Sequence, residues 1–185
     1  MANAVVLLAN GFEEIEALTV VDVLRRGSVN VTTAAIGKTK EVKGAHGVSV
    51  LADSLLDDVA ENKFDAVILP GGGEGTENLK NSDVTIRLLQ RQKEEGRLIC
   101  AICAAPIVLV EAGVLDPGQH ITCYPTCIME LDRTSANVPV VADGNVITGQ
   151  APGSAMLFSL IVLHALTNES VTSKIARGLV TNVLE

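Results

Sequence analysis

The chain has 185 residues, with 14 Lys and Arg against 22 Asp and Glu for a net charge of −8, and it is 48% apolar but only 2% aromatic. That length and apolar content suit one domain, residues 1–185, with a full core. The acidic balance, the lack of any Lys/Arg cluster and the scarcity of aromatic rings argue against nucleic acid as a partner.

Taken in chain order, Val5–Leu8 is a short apolar strand, Glu14–Arg26 an amphipathic helical pattern and Val29–Ala34 a second strand. Val42–Leu51 alternates apolar and polar residues around Gly44 and Gly47, as an antiparallel addition would. Ala66–Leu69 and Leu98–Ile102 are further strands, with helical patterns at Val84–Glu95 and Pro106–Ala112. Val138–Val141, Asp143-Gly144-Asn145 and Val146–Thr148 read as a hairpin at the sheet edge, and Gly153–Leu166 and Ser170–Leu179 close the chain as helices. Val- and Ile-rich runs alternating with amphipathic stretches predict a parallel sheet buried on both faces. The expected fold is a doubly wound α/β three-layer sandwich with a mostly parallel sheet and a short antiparallel hairpin.

The longest strongly apolar stretch, Ala155–Leu163, falls well short of the ~20 residues of a membrane span, so no membrane is expected as a partner. The N-terminus lacks the basic start of a signal peptide. Four cysteines beside an ample core are no disulfide framework, and a reducing, cytoplasmic setting fits them best.

In doubly wound sheets, ligands bind outside the carboxyl ends of the strands. Four segments fall there: Asn10–Glu16, Pro70–Glu77, Cys103–Pro106 and Gly149–Ser154. Cys103 passes from a β-branched run to a helix-starting proline in three residues, which predicts a tight strand-to-helix turn. A thiol there faces free N–H groups and the positive end of a helix dipole, both of which lower its pKa. The competing reading is a small buried hydrophobe. Pro70-Gly71-Gly72-Gly73 is either an anion nest or a tight turn needing positive φ. Of three carboxylates at the first helix start, Glu16 lies beside the apolar stripe of Ala17, Val20, Val21 and Leu24. Partial desolvation there would raise its pKa and leave it able to donate a hydrogen bond to a thiolate.

Two alternatives involve the other cysteines and the histidines. Cys100-x2-Cys103 and Cys123-x3-Cys127 admit a structural zinc site, but residues three apart on a strand are ~10 Å apart, so no metal is expected. Cys123 could lie near Cys103 as an oxidisable thiol. Among His46, His120 and His164, His46 in its glycine-flanked loop is the more plausible neighbour of the site.

Gly11-Phe-Glu-Glu-Ile-Glu16, Leu69-Pro-Gly-Gly72, Ala101-Ile-Cys-Ala-Ala-Pro106 and Pro152-Gly153-Ser154 together resemble the four motifs of the ThiJ/PfpI superfamily. Their order is similar to that in the branch of the parkinsonism-associated deglycase, across nearly the whole chain. The resemblance implies a flavodoxin-like homodimer with no cofactor, in which Cys103 is the nucleophile and Glu16 its protonated partner. It also implies that the backbone N–H groups of Gly72 and Ala104 hold an oxyanion, with Tyr124, His46, Cys123 and Gly153 at the periphery. The implied substrate is a small aldehyde or a glycated protein: methylglyoxal is converted to lactate without glutathione, or an early glycation adduct is removed. The alternative is a protective, chaperone-like oxidative-stress sensor whose cysteine becomes a sulfinic acid.

Three positions depart from the family's patterns. Ala104 stands where the protease and chaperone branches carry His, so peptidase activity is not expected. Tyr124 replaces a His found in some relatives, and a phenol of pKa ~10 shuttles protons poorly at neutral pH. His46 stands near where some relatives use Arg to bind anions.

Overall fold

A computed structural model describes residues 1–131 and 135–181. The elements in chain order are β1 (Asn3–Leu8), α1 (Glu14–Arg26), β2 (Asn30–Ala35), β3 (Glu41–Lys43), β4 (Ser49–Leu51), β5 (Ser54–Leu55), α2 (Leu56–Val59), β6 (Ala66–Leu69), α3 (Gly73–Lys80) and α4 (Asp83–Glu94). They continue with β7 (Leu98–Ile102), α5 (Pro106–Glu111), a 3₁₀ helix (Pro125–Glu130), β8 (Val140–Asp143), β9 (Val146–Gly149), a 3₁₀ turn (Pro152–Ser154), α6 (Ala155–Leu166) and α7 (Glu169–Gly178).

The main sheet has the order β5-β2-β1-β6-β7-β9-β8, with every neighbouring pair parallel except β8 and β9. Alternation of side chains divides each strand between two layers. On β1, Ala4, Val6 and Leu8 pack toward α1 and α6, whereas Val5 and Leu7 pack toward α4 and α5. On β7, Cys100 and Ile102 join the first layer, and Ile99 and Ala101 the second. Both faces are covered, which explains why these strands read as unbroken apolar runs. Each large aliphatic side chain buried this way contributes roughly 1.5–3 kcal/mol.

Helix starts follow their capping chemistry. Glu13 caps α1 by accepting the Glu16 N–H at 2.8 Å, Ser82 caps α4 by accepting from Thr85, and Asn168 caps α7 by accepting from Val171. Pro106 opens α5, where its missing N–H leaves no bond unmade.

The expected strands and helices lie within about two residues of their observed limits, and three features differ. The strand expected at Val138–Val141 begins at Val140 and pairs with β9 across a two-residue Gly144-Asn145 loop. The Pro70–Glu77 segment, expected as a loop, is helical from Gly73 onward. Val42–Leu51 does form an antiparallel pair, β3 with β4, but as a separate two-stranded sheet.

The strand order reverses between β1 and β6, since the chain leaves β1 for β2 on one side and returns to β6 on the other. The carboxyl ends of β1, β6 and β7 therefore open onto one crevice, the position at which doubly wound sheets bind ligands.

Candidate active site

Cys103 directly follows β7 with a φ of +65°, a left-handed conformation that costs a non-glycine residue roughly 1–2 kcal/mol. The turn is held on both sides. Its N–H donates to the Gly149 carbonyl at 3.0 Å, and its carbonyl accepts the Tyr124 N–H at 2.8 Å. Strand β9 and the segment before the Pro125 helix thus clamp the strained residue, which is 8% exposed.

Glu16 reaches the same point from α1. It is 1% exposed, and its Oε2 accepts the Gly71 N–H at 2.7 Å across the end of β6. A side chain at Gly71 would place its Cβ 2.7 Å from the Cys103 Cβ and 2.8 Å from Glu16 Oε2, so glycine is what lets thiol and carboxyl meet. Gly72 has φ +93°, and a Cβ there would sit 2.2 Å from the Gly11 carbonyl oxygen. The glycine run is therefore a tight junction between two loops that also turns the Gly72 N–H toward the Cys103 sulfur.

Burial raises the Glu16 pKa from 4.5 to about 7, against the Gly71 N–H and the thiol hydrogen bond that lower it. Its Oε1 is buried with no partner of its own, which penalises an ionised carboxylate more than a neutral acid. The Cys103 thiol is also pushed up, first by burial and then by the charge and hydrogen bond of Glu16. The N–H groups of Ala104 and Gly72 pull the other way and are outweighed. The sequence expectation of a thiol lowered by its helix terminus thus has the right donors but the wrong net sign, because burial and an ionisable neighbour are invisible in local spacing. The ionisation of thiol and carboxyl is coupled, since each group's pKa is shifted by the other.

The peripheral residues divide. Tyr124 reaches Cys103 through its backbone N–H, while the residue as a whole is 41% exposed. His46 turns to Glu14: its Nδ1 lies 2.8 Å from Oε2, and its N–H donates to Oε1 at 2.7 Å. Gly153 lies exposed on its 3₁₀ turn, with open space where a side chain would be. Cys123 packs with Ala104, Ile107 and Cys127, apart from the layer that takes in Cys100 and Cys103. The four cysteines therefore do not converge on one metal position. Among the described residues, the group able to hold a cation is Glu13, Glu14 and His46, whose ligand atoms lie within 4.8 Å of one another. Sequence reasoning missed this grouping, since His46 is 32 residues from Glu14.

A cleft of about 630 Å³ adjoins the junction, lined by Asn10, Gly11, Lys43, Gly44, Gly47 and Glu74 among others. Gly11, one of its lining residues, is the one whose carbonyl oxygen a Cβ at Gly72 would meet.

Residues 2–165, which carry all of these groups, match the DJ-1/PfpI family. The chain belongs to that family. It is 40% identical to protein dj-1beta of Drosophila melanogaster over 180 residues, covering 96% of each chain. The solved structure of oxidized Toxoplasma gondii DJ-1 superposes with a TM-score of 0.95 at 32% identity, covering 98% of this chain and 100% of that one. A Caenorhabditis elegans relative, the glutathione-independent glyoxalase DJR-1.2, is 35% identical over 90% of this chain and 89% of its own. These likenesses place the chain in the DJ-1-like branch with a flavodoxin-like fold. No helix among the described residues is long and apolar enough to cross a membrane.

Proposed function

We propose that this protein is a cofactor-independent enzyme that converts reactive dicarbonyls, or early adducts they form on proteins, through the Cys103 sulfur. The observation that carries this reading is the pairing of a strained, N–H-flanked thiol with a buried carboxyl whose pKa is raised to about 7, so that it is able to hold a proton toward neutral pH. The glyoxalase name of the nematode relative supports the substrate class.

Near pH 7 the pair releases its first proton. If Glu16 keeps the remaining one, the charge that adds to burial in holding the thiol up disappears, and the thiolate gains a donor beside the N–H groups of Gly72 and Ala104. The thiolate adds to the aldehyde carbon of methylglyoxal, and the carbonyl oxygen becomes the alkoxide of a hemithioacetal. Those N–H groups stabilise the developing negative charge. Proton transfer through an enediol gives a thioester, and water then releases lactate and regenerates the thiol. The sum is methylglyoxal plus water giving lactic acid, with no oxidant or reductant. The exposed Tyr124 phenol is a weak proton shuttle, so turnover is expected to be slow. Exposed Ile15 and Leu18 on α1 are apolar side chains that association with a second copy would cover.

Lactate formation from methylglyoxal without glutathione tests the reading. Cys103→Ser is expected to reduce it by about 10³-fold or more while the fold is retained. Equal turnover in the variant would end the proposal.

A second reading is favoured by the same N–H groups and by the oxidized form of the Toxoplasma relative. Cys103 would be a sensor in which a sulfinate takes hydrogen bonds from protonated Glu16. Stoichiometric oxidation at Cys103 without any methylglyoxal turnover would select it over the enzyme.

A further inference from the structure

A second pair of thiols lies outside the Cys103 junction. Cys123 is 1% exposed and Cys127 is 8% exposed. With Ala104 and Ile107 they form a small apolar cluster separate from the two layers that cover the sheet. The Cys127 N–H donates to the Tyr124 carbonyl at 2.9 Å, folding the chain back at Pro125. Burial raises the Cys127 pKa, and the neighbouring Cys123 thiol adds a smaller upward push. The other groups facing them are the hydroxyls of Ser135 and Thr126, the Tyr124 carbonyl and Glu130. No cation-binding group among the described residues includes either sulfur.

We propose that Cys123 and Cys127 are a redox-active dithiol, oxidised by hydrogen peroxide to an intramolecular disulfide independently of Cys103. One sulfur attacks the peroxide, the O–O bond breaks, and a sulfenic acid and one water form. The second sulfur attacks the sulfenic sulfur, the S–S bond forms, and the hydroxyl leaves as a second water. Two electrons and two protons pass from the thiols to the peroxide. The packing groups Cys123 with Cys127, whereas Cys100 and Cys103 lie in the α1 and α6 layer. Both thiols of the pair are held above their ordinary pKa by burial, so the reaction is slower than at an activated thiolate and answers to sustained exposure.

The disulfide would close on the turn that anchors the nucleophile's neighbourhood. Tyr124, between the two cysteines, donates the N–H that holds the Cys103 carbonyl at 2.8 Å. The dithiol therefore reports oxidant to the strained turn through one hydrogen bond. This holds whether or not Cys103 acts on an aldehyde.

The test is to treat the full chain with hydrogen peroxide, unfold it, alkylate the remaining thiols with iodoacetamide and map the products by tandem mass spectrometry. The expected result is loss of Cys123 and Cys127 as alkylatable thiols, with a dithiothreitol-reversible link mapped to that pair, whatever the oxidation state of Cys103. That link should persist in Cys103→Ser and vanish in Cys127→Ser. The wild-type map decides alone if Cys127→Ser folds poorly. A link between Cys103 and Cys123 would overturn the proposal. So would full alkylation of Cys123 and Cys127 at peroxide doses that already convert Cys103 to its sulfinic acid.

Discussion

Glu14 and Glu16 stand two residues apart on α1, both buried, yet their proton affinities move in opposite directions. Burial pushes each one up. At Glu14 the His46 imidazole and N–H more than offset it and lower the pKa, whereas at Glu16 one backbone N–H and a thiol do not. The first carboxylate therefore stays ionised and fastens the β3–β4 loop to the helix. The second becomes an acid that exchanges its proton near neutral pH. Position on the helix sets which wall each carboxyl faces, and the donors on that wall set its chemistry.

The contrast breaks most strongly through pH. Glu16 has a folded-state pKa of about 7 against an ordinary 4.5, so its contribution to stability is present below 4.5 and lost as pH rises through 7. Unfolding free energy should fall by about 3 kcal/mol over that window, and Glu16→Gln should flatten the curve in chemical denaturation. A wild-type curve that rises between pH 5 and 7 would contradict a raised Glu16. Gly71→Ala comes next, since its Cβ must displace either the Cys103 Cβ or Glu16 Oε2. We expect a loss of about 1–3 kcal/mol and slower alkylation of Cys103, measured by thermal unfolding and iodoacetamide kinetics. Wild-type values for both would mean the junction is looser than its distances imply.

His46 sharpens the other half of the comparison with the smallest effect. Its pKa is raised above 6.5 by Glu14, so the pair's stabilisation is present below 6.5 and lost as pH rises through the folded-state value. An NMR titration of His46 should place its midpoint above 6.5, and Glu14→Gln should return it there. A midpoint at or below 6.5 in the wild type would show that the pair does not persist in solution.

Sequence alone makes the strands legible because β1, β6 and β7 are buried on both faces and must be apolar throughout. Helix α3 escapes it. Two glycines lower its propensity, and Gly75 is needed because a Cβ there would lie 2.8 Å from the Phe12 nitrogen, a tertiary reason. The two-residue edge strand β5 is too short to carry a period. Within the candidate site, Cys103 was legible because a β-branched run meets Pro106, and Glu16 because a carboxylate borders an apolar stripe. Their relation was not, since Glu16 meets Gly71 across 55 residues. The thiol's net pKa direction depends on that meeting, and the pairing of His46 with Glu14 is a separate contact across 32 residues.

The central claim is that Glu16 keeps the shared proton and leaves Cys103 as the thiolate. The pH dependence of iodoacetamide reaction at Cys103, resolved by mass spectrometry for the wild type and Glu16→Leu, tests it most directly. The account predicts that wild-type Cys103 reacts at lower pH than Cys103 in Glu16→Leu, where burial persists and the donor is gone. Equal pH profiles in the two proteins, or faster reaction in Glu16→Leu, would show that Glu16 does not hold the thiolate and instead suppresses or ignores the nucleophile.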